Sequence, residues 1–106
     1  MKINLQNISP LSPEIISFLE ELTLNKNVER IIVFGSRALG DYEEYSDLDL
    51  AIDAPKIQKY EWLKLKEYSI YDLRTVYKIS LVHYSTNPEN LKESINQNGK
   101  IIYVKH

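Results

Sequence analysis

The chain has no cysteine among its 106 residues, which excludes a disulfide framework, a thiolate zinc site and a thiol nucleophile together. It also lacks any basic excess. Thirteen Lys and Arg stand against 15 Asp and Glu, for a formal net charge of -2, and no Lys/Arg block is dense enough to track a phosphodiester backbone. RNA and DNA are therefore disfavoured as high-affinity partners. No apolar signal core follows the opening Met-Lys-Ile-Asn-Leu-Gln-Asn, and the uninterrupted apolar runs are far too short to span a bilayer. The expectation is a cytoplasmic protein with no membrane partner. Repeats, low-complexity segments and linkers are missing as well.

What is present suits one modest core. With 43% apolar and 26% charged residues spread along the chain, residues 1–106 read as a single globular domain. Ser12-Pro13-Glu14 is a helix start, with Ser12 as cap, and Ile15, Phe18, Leu19 and Leu22 make the 3-and-4-spaced stripe of a helix lying on a sheet. Val28 and the run Ile31 to Phe34 read as a core strand ending at Gly35. After Pro55 the pattern predicts a helix from about Lys56 to Tyr68, with Trp62 and Leu65 on its buried side. Lys78 to Tyr84 alternates as a strand. Asn87-Pro88-Glu89 opens a last helix, which Gly99 closes before a final strand from Ile101 to Val104. This order predicts an α/β (α+β) domain with a mixed sheet of about four strands backed by helices.

The chemistry concentrates in residues 28–53. Gly35 has no Cβ, so backbone and ligand can approach closely, and Ser36 offers a hydroxyl and an amide where a short helix can start. Free amides at a helix start suit phosphate. Beyond the loop, Ser46-Asp47-Leu48-Asp49-Leu50-Ala51-Ile52 alternates polar and apolar residues, placing Asp47 and Asp49 on one face and Leu48, Leu50 and Ile52 on the other. Residues two apart on a strand are roughly 6.6 Å apart along it, so the two carboxylates can converge on one or two divalent cations. Without a cation they would repel each other. The plain structural alternative makes Gly35 a strand terminator, Ser36 a helix cap and the aspartates a solvated edge face; each is common alone.

Taken together, Gly35, Ser36, Arg37, Ala38 and Gly40, then Ser46, Asp47, Asp49 and Leu50, resemble in order and spacing the G-S-x-A-x-G and S-D-x-D-L motifs of the polymerase-beta-type nucleotidyltransferase superfamily. The likeness is to its minimal, MNT-type branch. The resemblance implies the nucleotidyltransferase fold, ATP as substrate and a two-metal Mg2+ site, held by Asp47 and Asp49 and short of one ligand. It also implies phosphates held by Gly35, Ser36, Arg37 and Ser46. Leu39 stands where many relatives carry an arginine, with Arg37 as a partial substitute. A later strand of the family carries a third carboxylate that ligates the catalytic metal and helps deprotonate the attacking hydroxyl. In this chain Ser80 occupies that position, and a serine hydroxyl is a neutral, weak ligand.

Three other residues come into question for the missing acid. Asp53 lies four residues past Asp49, about 13 Å along the strand, and is read as the strand's end. His83, three residues from Ser80, points to the opposite face of an ideal strand, and no spacing argument fixes Asp72. Tyr42 and Tyr45, in the loop between the motif halves, either stack on a base or pack the loop. The eight tyrosines of the chain suit interfaces and half-buried strands equally.

Minimal nucleotidyltransferases of this branch are paired with HEPN-domain proteins in toxin–antitoxin systems. The resemblance therefore implies an antitoxin that adenylylates a tyrosine hydroxyl of a HEPN toxin. No segment for a primer, a tRNA end or an antibiotic is seen, so the acceptor is expected on a partner protein or across the subunit boundary of a homo-oligomer. The alternative is a catalytically degenerate module that binds nucleotide or partner and neutralises by occlusion, with Ser80 as the feature in its favour. Transfer to a small molecule ranks last, for want of a substrate-binding domain.

Overall fold

The computed structural model describes residues 11–35, 38, 47–72, 78–86 and 89–105. Helix α1 spans Pro13–Leu24. Its cap is the one expected, with Ser12 Oγ accepting from the Ile15 amide at 3.4 Å, and Ile15, Phe18, Leu19 and Leu22 are all buried. Strand β1, Arg30–Phe34, and strand β2, Leu48–Asp53, pair antiparallel, with Phe34 opposite Asp49.

Helix α2, Lys59–Glu67, is shorter than the expected 56–68. At its start, the Ile57 amide donates to the Ala54 carbonyl at 3.1 Å, closing a turn with Pro55 in second position, where its fixed φ fits. The backbone becomes helical only after that turn. At its end the chain widens into a π-helical turn, Tyr68–Asp72, where Ser69 Oγ donates to the Lys66 carbonyl at 2.8 Å. Strand β3, Ile79–His83, runs parallel to β2 and leads through a 3-10 turn, Tyr84–Thr86, into helix α3, Glu89–Asn98. Strand β4, Lys100–Val104, then pairs antiparallel with β1.

The four-stranded mixed sheet has the order β3-β2-β1-β4. Alternation along β1 and β2 divides its side chains between two layers. Ile31, Val33, Leu48, Leu50 and Ile52 join Ile15, Phe18, Leu19, Leu22 and Trp62 in the main core beneath α1 and α2. Ile32 and Ala51 face the other way and meet Ile95 of α3, with Phe34, Tyr84 and Leu91 at the margin. Gly99 permits that second layer, since a Cβ there would stand 2.6 Å from Ile32 Cγ2 and 2.5 Å from the Ile95 carbonyl oxygen.

Strand β4 departs from simple alternation. Its pairing with β1 slips between Ile31 and Ile32, leaving Ile102 as an extra residue, and Ile102 and Tyr103 consequently both enter the main core. A bulge of this kind turns two successive side chains to one face. Among the described residues no helix is long and apolar enough to cross a membrane.

Candidate nucleotide and metal site

Three strand ends meet at one edge of the sheet. Because β1 runs antiparallel to β2, its C-terminal end adjoins the start of β2, and because β3 is parallel to β2, its start lies there too. Gly35, Asp47, Asp49 and Ser80 are thereby gathered from three separate stretches of chain.

Gly35 leaves β1 with φ +74°, a left-handed conformation that L-residues with side chains rarely adopt. The turn continues with the Ala38 amide donating to the Gly35 carbonyl at 3.1 Å. A Cβ on Gly35 would overlap Asp49 Oδ2. The glycine thus has two reasons to be one, a positive φ and a carboxylate lying against its backbone.

On β2, Leu48 and Leu50 are fully buried while Asp49 is half-buried and Asp47 exposed. The alternation expected from the sequence is therefore present, with the carboxylates turned away from the main core. Burial pushes the Asp49 carboxyl above its ordinary value, the neighbouring Asp47 charge adds to the rise, and Lys78 pulls the other way. A carboxylate in this state gains from a cation that relieves both the desolvation and the repulsion.

Ser80 is the register partner of Asp49 across the β2–β3 ladder. Ser80, which the resemblance sets at the position of a third carboxylate, therefore stands beside Asp49, on the same face and one strand away. Among the described residues no group of three or more His, Cys, Asp and Glu side chains is placed to hold a metal. Two carboxylates nevertheless fit Mg2+, which is ordinarily bound by one or two carboxylates together with substrate phosphates and water. The close approach of Gly35 to Asp49 leaves the face beside them clear of a side chain at that position.

The other acids and the histidine have different places. Asp53 ends β2 and is held by Arg30, whose Nε donates to Asp53 Oδ2 at 2.7 Å, so it stabilises the far end of the strand. His83 lies on the opposite face from Ser80, its ring 4.8 Å from that of Trp62. Asp72 is exposed on the turn after α2. Ser36, Arg37, Ser46, Tyr42 and Tyr45 lie outside the described residues. Of the tyrosines, Tyr60, Tyr68 and Tyr71 lie on the surface of α2 and its exit turn, whereas Tyr103 is buried.

One neighbour of the site was not singled out by the sequence. Lys78 precedes β3 but already belongs to its ladder, its carbonyl accepting from the Leu48 amide at 2.9 Å. The two-residue period that groups Asp47 with Asp49 also groups Lys78 with Ser80, and that was the available signal. A groove of about 330 Å³ between α1 and α2, lined by Phe18, Leu22, Leu65 and Tyr68 among others, lies on the opposite face and is separate from the carboxylates.

A family model described as polymerase beta, nucleotidyltransferase, matches residues 14–106. No curated protein matches the chain significantly. Among solved structures, a toxin–antitoxin crystal structure with AMP-PNP is 23% identical with a TM-score of 0.63, the match covering 88% of this chain and 73% of that one. A toxin–antitoxin structure of MntA-HpeT carrying a tyrosine-to-alanine substitution is 21% identical with a TM-score of 0.66, over 92% of this chain and 76% of that one. A further MntA-HpeT structure, with two aspartates replaced by glutamate, is 21% identical with a TM-score of 0.62, over 88% and 73% respectively. At these identities the likeness is one of fold.

Proposed function

Because the chain belongs to the polymerase-beta nucleotidyltransferase family, we propose that it transfers AMP from ATP, with Mg2+, to a tyrosine hydroxyl of a HEPN-domain toxin. In this reading residues 1–106 act as a single minimal domain and as the toxin's cytoplasmic antitoxin. The observation that carries the reading is the half-buried Asp49, packed against the Gly35 turn and flanked by Asp47. Support for the partner comes from the fold neighbours, which are toxin–antitoxin structures, one of them with a nucleotide analogue. The two aspartates replaced in one neighbour are two residues apart, the spacing of Asp47 and Asp49.

In the transfer, the tyrosine oxygen bonds to the α-phosphorus and the bond from that phosphorus to the αβ-bridging oxygen breaks. Pyrophosphate leaves with the electron pair, and the hydroxyl proton passes to solvent. Bound Mg2+ supplies neutralisation of phosphate charge. Asp47 and Asp49 are its ligands, while Gly35, with Ser36, Arg37 and Ser46, holds the phosphates. Catalysis is then chiefly positioning and charge neutralisation, which two aspartates can provide at a reduced rate.

A second reading is favoured by Ser80 opposite Asp49: the chain binds nucleotide and partner without turnover, and neutralises by occlusion. One experiment separates the two. ATP labelled at the α-phosphate is incubated with Mg2+, this chain and its HEPN partner. Label on the partner that disappears with Asp47→Asn supports transfer; toxin inhibition without label, unchanged by Asp47→Asn, supports occlusion.

A further inference from the structure

The β2–β3 register pairs Leu48 with Ile79 and Asp49 with Ser80. Continued back by one residue, through the hydrogen bond from the Leu48 amide to the Lys78 carbonyl, it sets Asp47 beside Lys78. Side chains at 47, 49, 78 and 80 therefore form a two-by-two patch on one face. Its sides are about 4.8 Å across the strands and about 6.6 Å along them. One strand contributes two carboxylates; the other contributes an ammonium and a hydroxyl.

The charge of this patch differs from that of a three-carboxylate site. Asp47 and Asp49 bring two negative charges, Lys78 returns one positive, and Ser80 is neutral, leaving a net of about -1 where three acids would give -3. A pair of divalent cations about 3.5–4 Å apart is held less strongly by protein groups of net charge about -1 than by three carboxylates. Lys78 is also exposed, so its flexible four-carbon stem and three donors are free to swing over the patch toward a phosphate.

Resting on the nucleotide-binding reading above, we infer that this is a single-cation nucleotide site, in which the Lys78 ammonium contacts the triphosphate and supplies the positive charge that a second divalent cation supplies in a three-carboxylate site. One cation sits on Asp47 and Asp49. Lys78, above Ser80, takes the phosphate oxygens on the β3 side. The replacement of a third acid by serine and the presence of a lysine two residues before it are then two parts of one arrangement.

The test counts cations rather than turnover. Mn2+ and a non-hydrolysable ATP analogue are titrated into the full chain, with bound Mn2+ followed by electron paramagnetic resonance and nucleotide by calorimetry. The expected result is one Mn2+ per bound nucleotide. Lys78→Met weakens the analogue by roughly tenfold or more, the loss of a charge-assisted hydrogen bond, and Lys78→Arg restores most of it. The double change Lys78→Met with Ser80→Asp raises the count to two. Two Mn2+ per nucleotide on the unaltered chain, or unchanged affinity in Lys78→Met, overturns the inference and leaves the nucleotide site standing. No binding of the analogue to any variant overturns both. Circular dichroism and thermal melts of each variant separate loss of binding from loss of fold.

Discussion

Asp49 and Ser80 are register partners on the parallel strands β2 and β3, so a neutral hydroxyl stands directly beside the half-buried carboxylate.

Ser80→Asp places a third carboxylate next to Asp49. In metal-free protein at neutral pH the added repulsion lowers stability by about 1 kcal/mol. Millimolar Mn2+ reverses the sign, because a cation bound by the folded state and not by the unfolded chain stabilises by linkage. Paired thermal melts with and without Mn2+ check this, and equal shifts for parent and variant would count against a cation at this face.

Asp49→Asn is expected to stabilise the metal-free fold. Burial, then Asp47, hold the folded carboxyl above its ordinary value of 3.8, despite Lys78. The folded state thus keeps a proton that the unfolded chain has released, and stability falls as pH rises from 3.8 through the raised value. Above that window the asparagine variant melts roughly 2–4 °C higher, for about 0.5 kcal/mol after allowance for solvent screening. Below it the advantage vanishes. A melt series across acid and neutral pH reads the crossover.

Gly35→Ala strains a φ of +74° and drives a methyl into Asp49 Oδ2. The left-handed backbone alone costs about 1–2 kcal/mol, and relief of the overlap displaces the carboxylate. Urea denaturation should show the stability loss, and Mn2+ affinity should fall with it. An alanine variant of parental stability and affinity would mean that the turn relaxes freely.

Ile95→Ala tests how α3 is held. Ile95 is the buried side chain of that helix and meets Ile32 and Ala51. Its truncation is expected to cost about 2–4 kcal/mol and to release α3 first. Hydrogen exchange should show protection lost in 89–98 before it is lost in α1.

Much of this fold was legible because periodicity and burial agree. The stripe Ile15, Phe18, Leu19, Leu22 lies on the core, and the alternation of residues 47–52 places Asp49 away from it. Ser80 was legible only through the family resemblance; the register that sets it beside Asp49 depends on the pairing of β3 with β2. Lys78 shares the two-residue period of Ser80 but carries no acid, so a search for metal ligands passes over it. The two-layer arrangement was not legible, since α3 offers a single buried isoleucine and its face of the sheet reads as ordinary alternation. Nor was the bulge at Ile102, which depends on the pairing of β4 with β1 and not on any local propensity. The early start of α2 was expected from lysine- and leucine-rich composition; the turn at Pro55 prevailed because proline fixes the backbone there.

The sheet order has a kinetic consequence. Gly35 and Asp49 come from neighbouring antiparallel strands, whereas Lys78 and Ser80 reach the same edge only after the chain has crossed over through α2 and β3 has docked parallel to β2. Parallel pairing at long sequence separation is slow, because loop closure is paid before contacts are made. The site is therefore assembled in two stages during refolding, the acidic half first and the lysine–serine half last. Pulse-labelled amide exchange should find Ala51, whose amide faces β1, protected ahead of Leu50, whose amide faces β3 like that of Leu48, and simultaneous protection of the two would show that the edge strand joins at once.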